Sequence, residues 1–486
     1  MNLVDASVEA LQEAMTEGRA TSRSIVEGYF ARIEAYNATG PALNAITQLS
    51  PNALSEAGAL DRERAERGPR GPLHGIPFLV KDNMDVAGMP TTAGSRALEG
   101  LTAQRDAHVI EKLREAGAVV IGKTNLHELA AGITTVSSAG GRTRNPYDLE
   151  RNPGGSSGGT GAAIAASLAA FGTGSDTCGS IRIPAAQNCL VGLRVTQGLT
   201  SRSGVVPLCL TQDVVGPIAR NVDDLAIVLD AMVGLDETDS GSCLGEEGVP
   251  AFHSALGSAS LRGRRIGCLE PLFGAELEDE KVASIVRAML ARLGSLGAEI
   301  VSVQLPDLVS RLDVGFTIIL GDLAGDLAGY LEKNPTAPVR TLAELLATGQ
   351  VHPEVAPVLQ AAAEGGIAGS QAYADAVSNR LRIREMLEEA LRVDRLDALA
   401  YPTILRIAAP LGEAQLGSNA YASADSGLPA ISLPAGFDAE GHPVGLELLG
   451  SAFGDAALVA LAGAIEAACP VRQSPALTPE LEVRPN

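Results

Sequence analysis

Residues 152–184 read NPGGSSGGTGAAIAASLAAFGTGSDTCGSIRIP, and no other stretch constrains the chain as tightly. Two serine clusters, Ser156-Ser157 and Ser180, sit in glycine-rich turns. Between them runs an alanine-rich segment, 162–170, whose small side chains predict a tightly packed buried helix. Glycine is used where backbone takes a positive φ or another group comes very close. Here it flanks hydroxyls at both ends. A helix that returns one serine turn beside the other gathers two hydroxyls and several free backbone N–H groups. Those are the parts of a nucleophile and an oxyanion hole. A flexible glycine-serine linker would not enclose an apolar helix.

Upstream, residues 74–83 read HGIPFLVKDN, an apolar strand-like run that ends in Lys81. A lysine there is either a snorkelling surface charge or a desolvated amine with a lowered pKa. These ten residues leave both readings open. His74 reads as a packing residue. Together with the serine stretch, however, the run resembles the amidase signature family of serine hydrolases. The family's lysine segment, G-I-P-x-x-V-K-D-N, is matched by 75–83, and its G-G-S-S-G-G motif by 154–159. Its nucleophile segment, D-x-G-G-S-I-R-x-P, is matched by 176–184 with one departure, Cys178 in place of glycine. The spacing agrees too, with Ser156 75 residues after Lys81 and Ser180 24 residues after Ser156.

The resemblance implies an α/β fold with a central mixed β-sheet flanked by helices. It implies Lys81 as base, Ser156 as a bridging serine on a cis peptide, and Ser180 as nucleophile. Backbone N–H groups of Thr177, Cys178, Gly179 and Ser180 would form the oxyanion hole. Ser157, Asp176 and Arg182 would support that turn, with plain turn stabilisation an equal reading. Cys178 keeps its N–H, so the expectation is an intact hole beside a reshaped pocket, the thiol packing away from the acyl position. The implied reaction is hydrolysis of an amide or carbamate-like C–N bond, without cofactor or metal. The family also includes the A subunit of glutamyl-tRNA(Gln) amidotransferase, which is the alternative function. Lys81, Ser156 and Ser180 are all present, which argues against a non-catalytic relative.

The remaining chain reads as support. Residues 5–17 and 24–35 predict two helices, the second with a capping box from Ser24 and Glu27. They would clasp the core or a second copy, so a homodimer stays open. Helix 107–116 followed by strand 118–121 sets an α/β rhythm. It continues through helix 222–233, strand 265–269, helix 281–293 and strand 299–303, with a polar surface excursion at 236–261. Residues 308–393 read as helical, with Leu320, Leu323, Leu327 and Leu331 on one face, and are expected to cap the site. Strand 397–403 and helix 455–468 close the core, and residues 427–450 resemble the family's closing segment of strands. One domain spans 1–486, with a signature core at about 70–235 and a closing segment at about 395–470.

Composition narrows the partners. A net charge of −21 repels phosphate backbones and anionic lipid heads, so the expected partner is a small molecule rather than nucleic acid or membrane. No run of about 18 apolar residues or signal core stands out in the sequence. Six cysteines without CxxC spacing suit a reducing compartment, and the expected localisation is cytoplasmic.

Three motifs compete with this reading. Residues 117–124, GAVVIGKT, match the P-loop pattern letter for letter. The four middle residues are Ala-Val-Val-Ile, however, a buried strand that cannot wrap phosphate. Residues 155–159 satisfy G-x-S-x-G, the nucleophile elbow of α/β-hydrolases, which would make the chain an esterase with Ser157 as nucleophile. The polar run 144–153 is a poor elbow strand, and His253, His352 and His442 lie in stretches that read as exposed loops or helix starts. His127-Glu128 opens an HExxH motif that fails at Ala131, and the few histidines are otherwise too dispersed for a metal site.

Overall fold

A computed structural model describes residues 1–257, 260–312 and 314–481. Among these residues eleven strands form one mixed sheet and two more form a small hairpin. In chain order they are β1 (Ile46–Leu49), β2 (Pro77–Lys81), β3 (Val119–Thr124), β4 (Val136–Ser137) and β5 (Gly141–Arg142). Then come β6 (Phe171–Asp176), β7 (Val191–Arg194), β8 (Val214–Ala219), β9 (Arg265–Leu269) and β10 (Glu299–Val303). The last are β11 (Ala398–Pro402), β12 (Ala430–Phe437) and β13 (Pro443–Leu449). The large sheet runs β1-β3-β2-β6-β8-β7-β12-β13-β11-β9-β10, and β4-β5 is the hairpin.

β2, β3 and β6 pair in parallel, as do β9, β10 and β11, while the middle of the sheet is antiparallel. Parallel central strands are covered on both faces and read as continuous apolar runs. β2 and β3 show this: every residue in them is buried. The expectations for strands 265–269 and 299–303 and for the last helix, Asp455–Ala468, coincide with the structure.

The N-terminal helices are Val8–Thr16 and Ser22–Ile33. The second starts two residues before the expected boundary because Thr21, not Ser24, is its N-cap. Ser24, in place of Glu27, supplies the reciprocal bond of the capping box. The alanine-rich helix is also displaced. It spans Gly158–Ala165 rather than 162–170, beginning inside the glycine motif. Glycine suits that position because the helix start presses on the end of β3: a Cβ on Gly159 would lie 2.2 Å from the Asn125 carbonyl oxygen.

Within the cap region, helices Val314–Glu332, Leu342–Ala347, Ala356–Glu364 and Gln371–Val393 pack together. Leu323, Leu327 and Leu331 are buried in its core, and Leu320 is partly buried against it. The segment Val309–Glu332 is long and apolar enough to cross a membrane by length and composition, contrary to the reading that no such run stands out. Here its apolar side packs inward, while Asp322 and Asp326 accept hydrogen bonds from Thr211 Oγ1 (2.5 Å) and Leu210 N (2.7 Å). Those bonds seat the cap on the loop that precedes β8.

Candidate active site

β2 and β6 are parallel neighbours with Phe78 opposite Phe171 and Leu79 opposite Gly172. The two phenyl rings stack with centroids 5.0 Å apart. This register carries Lys81, the last residue of β2, alongside Ser175 near the end of β6. Both lie at the carboxyl edge of parallel strands, where open α/β sheets place their sites.

Lys81 is fully buried. Its Nζ lies 2.7 Å from Ser156 Oγ, 2.8 Å from Ser175 Oγ and 3.3 Å from the Ser175 carbonyl. Asn83 Nδ2 donates to Ser175 Oγ at 3.0 Å and so fixes that hydroxyl from the other side. Burial lowers the Lys81 pKa to about 7, against the opposing pull of the Asp176 and Asp213 carboxylates. About half of such amines are unprotonated at neutral pH and free to accept a proton. Of the two readings of Lys81, the desolvated one is the observed one.

Ser156 and Ser157 occupy the loop that opens helix Gly158–Ala165. The Gly155–Ser156 peptide is cis. Ser157 N–H donates to the Ser180 carbonyl at 3.1 Å, which ties the two serine turns together. Ser157 Oγ instead donates to the Ser175 carbonyl at 3.2 Å. It is buried, and among the described residues no hydrogen bond joins it to a histidine. The strand, base and acid of a nucleophile elbow are therefore not assembled around Ser157.

The turn bearing Ser180 is held from behind by Asp176. This carboxylate accepts from Gly179 N–H (2.7 Å), Ile181 N–H (3.1 Å) and Arg182 Nε (3.1 Å), and pairs with Arg194. Burial alone would raise its pKa, but Arg182 and Arg194 hold it well below the usual carboxylate range. Arg182 reaches onward to Glu447 on β13, which also accepts from Tyr401 OH at 2.9 Å. Gly179 is required here, since its φ is +100° and a Cβ would meet the Ala420 methyl at 2.4 Å.

One expected oxyanion donor drops out of this arrangement. The Gly179 N–H is committed to Asp176, whereas among the described residues those of Thr177, Cys178 and Ser180 donate to no protein acceptor. A second carboxylate, Asp213, supports the same turn. It accepts Thr177 Oγ1 at 2.5 Å on one oxygen, and Leu208 N–H (2.9 Å) and Cys209 N–H (3.0 Å) on the other.

Ser180 opens onto a cavity of about 170 Å³. Ala131, Ile133 and Leu208 from the core meet Phe316, Ile319 and Val358 from the cap across it, with Thr177 and Cys178 beside the serine. Among the described residues no charged side chain lines it. Cys178 packs against the cap core, and burial together with Asp425 and Asp176 pushes its thiol well above the usual range. It is a wall residue with little thiolate. Cys178→Gly is therefore expected to change turnover of small amides by less than about tenfold, roughly 1.4 kcal/mol in barrier. Kinetics on a leaving-group series check this, and a loss of a hundredfold or more would give the thiol a larger part.

The competing motifs resolve in physical terms. Residues 119–124 of the P-loop match are β3, flanked by β1 and β2, and Lys123 is buried against Asp82 at 2.7 Å. His74 is buried, its Nε2 2.9 Å from the Leu60 carbonyl. Burial lowers the His127 pKa to about 3, so its ring is neutral, while its backbone N–H donates to the Ser156 carbonyl at 3.0 Å. Among the described residues Asp438, Glu440 and His442 do converge, with ligand-capable atoms within 4.8 Å. His442 is thus buried rather than on an exposed loop. Asp438 pairs with it at 3.0 Å, and Lys281 bridges Asp438 and Glu440.

The chain matches the Amidase family over residues 24–459. It belongs to that family. Among solved structures, the peptide amidase of Stenotrophomonas maltophilia superposes with a TM-score of 0.90 at 38% identity, covering 97% of this chain and 99% of that one. The A subunit of glutamyl-tRNA(Gln) amidotransferase from Thermotoga maritima superposes at 0.78 with 29% identity, covering 98% of each chain. The same-named protein of Halorhodospira halophila is 38% identical over 473 residues, 93% of this chain and 95% of that protein. The large mixed sheet flanked by helices is the fold of these amidase signature enzymes. Members of the family act on C–N bonds.

Sequence reasoning missed Ser175 and Asp213. Ser175 is adjacent to the motif that carries Ser180, but its contact with Lys81 follows from the β2-β6 register. Asp213 lies 33 residues beyond Ser180, outside the matched motifs.

Proposed function

We propose that this chain hydrolyses carboxylic amides with an apolar acyl group through an acyl-enzyme on Ser180, with Lys81 as base and Ser156 as relay. The observation that carries the reading is the buried Lys81 amine, with its pKa of about 7, 2.7 Å from Ser156 Oγ. A neutral amine has two N–H donors and one lone pair. The Ser175 carbonyl and hydroxyl accept the two donors, leaving the lone pair for the Ser156 hydroxyl. Ser156 passes its proton to Lys81 as it takes the proton of Ser180, and Ser180 Oγ attacks the carbonyl carbon. The N–H groups of Thr177, Cys178 and Ser180 stabilise the oxyanion, each donor worth roughly 2.7–4 kcal/mol. Run in reverse, the relay protonates the leaving amine. Water then enters by the same route and releases the acid.

The uncharged wall of the cavity favours an apolar acyl group, a carbamate included, over glutamine, whose ammonium and carboxylate need charged partners. Six free thiols support a cytoplasmic location. The test is the purified chain alone, assayed on apolar amides, anilides, carbamates, esters and glutamine. Amine or ammonia release from the apolar amides is expected. Turnover of glutamine only, and only with added amidotransferase subunits, would overturn the reading.

The same chemistry predicts the acid limb of the pH profile. Acylation rises with pH through about 7 as Lys81 loses its proton. Asp213 stabilises the charged amine, so Asp213→Asn should lower the Lys81 pKa and move this limb to lower pH. Single-turnover acylation rates across the pH range check it. A limb that stays in place or moves to higher pH would remove Asp213 from the control of Lys81.

A further inference from the structure

The cavity at Ser180 has an inner wall and a rim, and helix Val314–Glu332 contributes to both. Phe316 and Ile319 are three residues apart on it and share a face. Ile319 and Leu208 are buried, at 4% and 5% exposure, whereas Phe316 is 42% exposed. Ile319 and Leu208 therefore form the inner wall and Phe316 the rim. Val358, half-buried on helix Ala356–Glu364, is a further wall residue from the cap.

Size and chemistry together narrow what can enter. An apolar cavity of about 150 Å³ accepts one benzene ring. At about 170 Å³ this one has room for a single ring and little else. Among the described residues no charged side chain lines it, so a charge at the far end of the acyl group would lose its water without gaining a partner. A ring also has fewer rotors to freeze than an open chain of equal carbon count.

The lining also indicates which half of the substrate the cavity takes. Lys81 and Ser156 are not part of it. In the proposed relay the leaving nitrogen receives its proton from Ser156, so the amine side faces Ser156. The acyl side is left to the cavity.

Resting on the hydrolysis proposed above, we infer that the substrates are amides of compact, uncharged acids. Their acyl group carries one aromatic ring or a branched chain of similar bulk, and Ile319 and Val358 determine that size. Ile319 sets the depth of the slot, and Val358 limits its width from the cap.

The probes are acetamide, phenylacetamide and decanamide, which release the same ammonia and have a saturated carbon beside the carbonyl. Their kcat/KM values on the intact chain therefore compare acyl groups. Phenylacetamide should exceed the other two at least tenfold, and its 4-carboxy derivative should fall at least tenfold below it. Ile319→Ala deepens the slot and should raise the decanamide-to-phenylacetamide ratio at least tenfold. Val358→Phe fills the slot and should lower the phenylacetamide-to-acetamide ratio at least tenfold. Because Ile319 is a core residue, Val358→Phe keeps the test available if Ile319→Ala does not fold. Calorimetric binding of phenylacetamide to Ser180→Ala, lost when Val358→Phe is added, would support the slot even if the chain cleaved no amide, a result that would sink the hydrolysis reading alone. Amide cleavage with acyl-size ratios unmoved by either variant would overturn the slot and leave hydrolysis standing. So would ratios that move only in a series of N-alkyl acetamides, which would give the cavity to the amine.

Discussion

Ser180→Ala and Lys81→Ala are each expected to lower kcat by roughly 10⁴–10⁶-fold, and the double variant scarcely further. The non-additivity follows from the proposed relay. Lys81, Ser156 and Ser180 are proposed to move a single proton chain, and a chain broken once conducts nothing. Lys81→Ala also leaves Ser175 Oγ with Asn83 as its remaining partner, so the effect is confined to the relay rather than spread through the sheet. Ser157→Ala removes a bond to a carbonyl and should cost far less, about 0.5–1.5 kcal/mol of stability. Steady-state and single-turnover kinetics on one amide check all four variants. Additive losses, or a dead Ser157→Ala beside an active Lys81→Ala, would return the nucleophile to the elbow reading.

Arg182→Met is expected to give the largest loss of stability, about 3–5 kcal/mol. The arginine is fully buried between Asp176 and Glu447, and removing it leaves two carboxylates without their fork. Asp176 then has Arg194 but no longer Arg182 to hold it where Gly179 and Ile181 need it. Turnover should fall with stability, because the Ser180 turn depends on that anchor. Arg182→Lys keeps a charge without the planar geometry and should fall between the two. Denaturant unfolding of the variants measures the difference. A loss below about 1 kcal/mol for Arg182→Met would mean that the network is dispensable to the turn.

These two results separate what was legible in the sequence from what was not. Lys81, Ser156 and Ser180 stand in short motifs that resemble the amidase signature family, so the resemblance names them as the expected triad, and the structure places Lys81 Nζ beside Ser156 Oγ. Asp176 and Arg182 are local to the same turn, six residues apart, and were legible as its supports. Glu447, Ser175 and Asp213 were not. Glu447 and Ser175 reach the site through strand register, β13 beside β12 and β6 beside β2, and Asp213 through the loop that leads into β8. Neither kind of placement shows in a single chain. The helix boundaries slipped for a related reason. At 158–165 the close approach of helix to β3 made glycine a helix-start residue, where local propensity reads it as turn. Thr21 displaced Ser24 as cap because both hydroxyls qualify and the tertiary position of the helix chooses between them.

Everything proposed for the site turns on Ser180 Oγ as the atom that carries the acyl group. Mass spectrometry of the intermediate trapped by acid quench during turnover of an apolar amide tests this directly. The acyl mass should sit on the peptide containing Ser180, with fragmentation placing it on that residue, and should be missing from Ser180→Ala. An acyl mass on Ser157 or Cys178, with Ser180 unmodified, would contradict it.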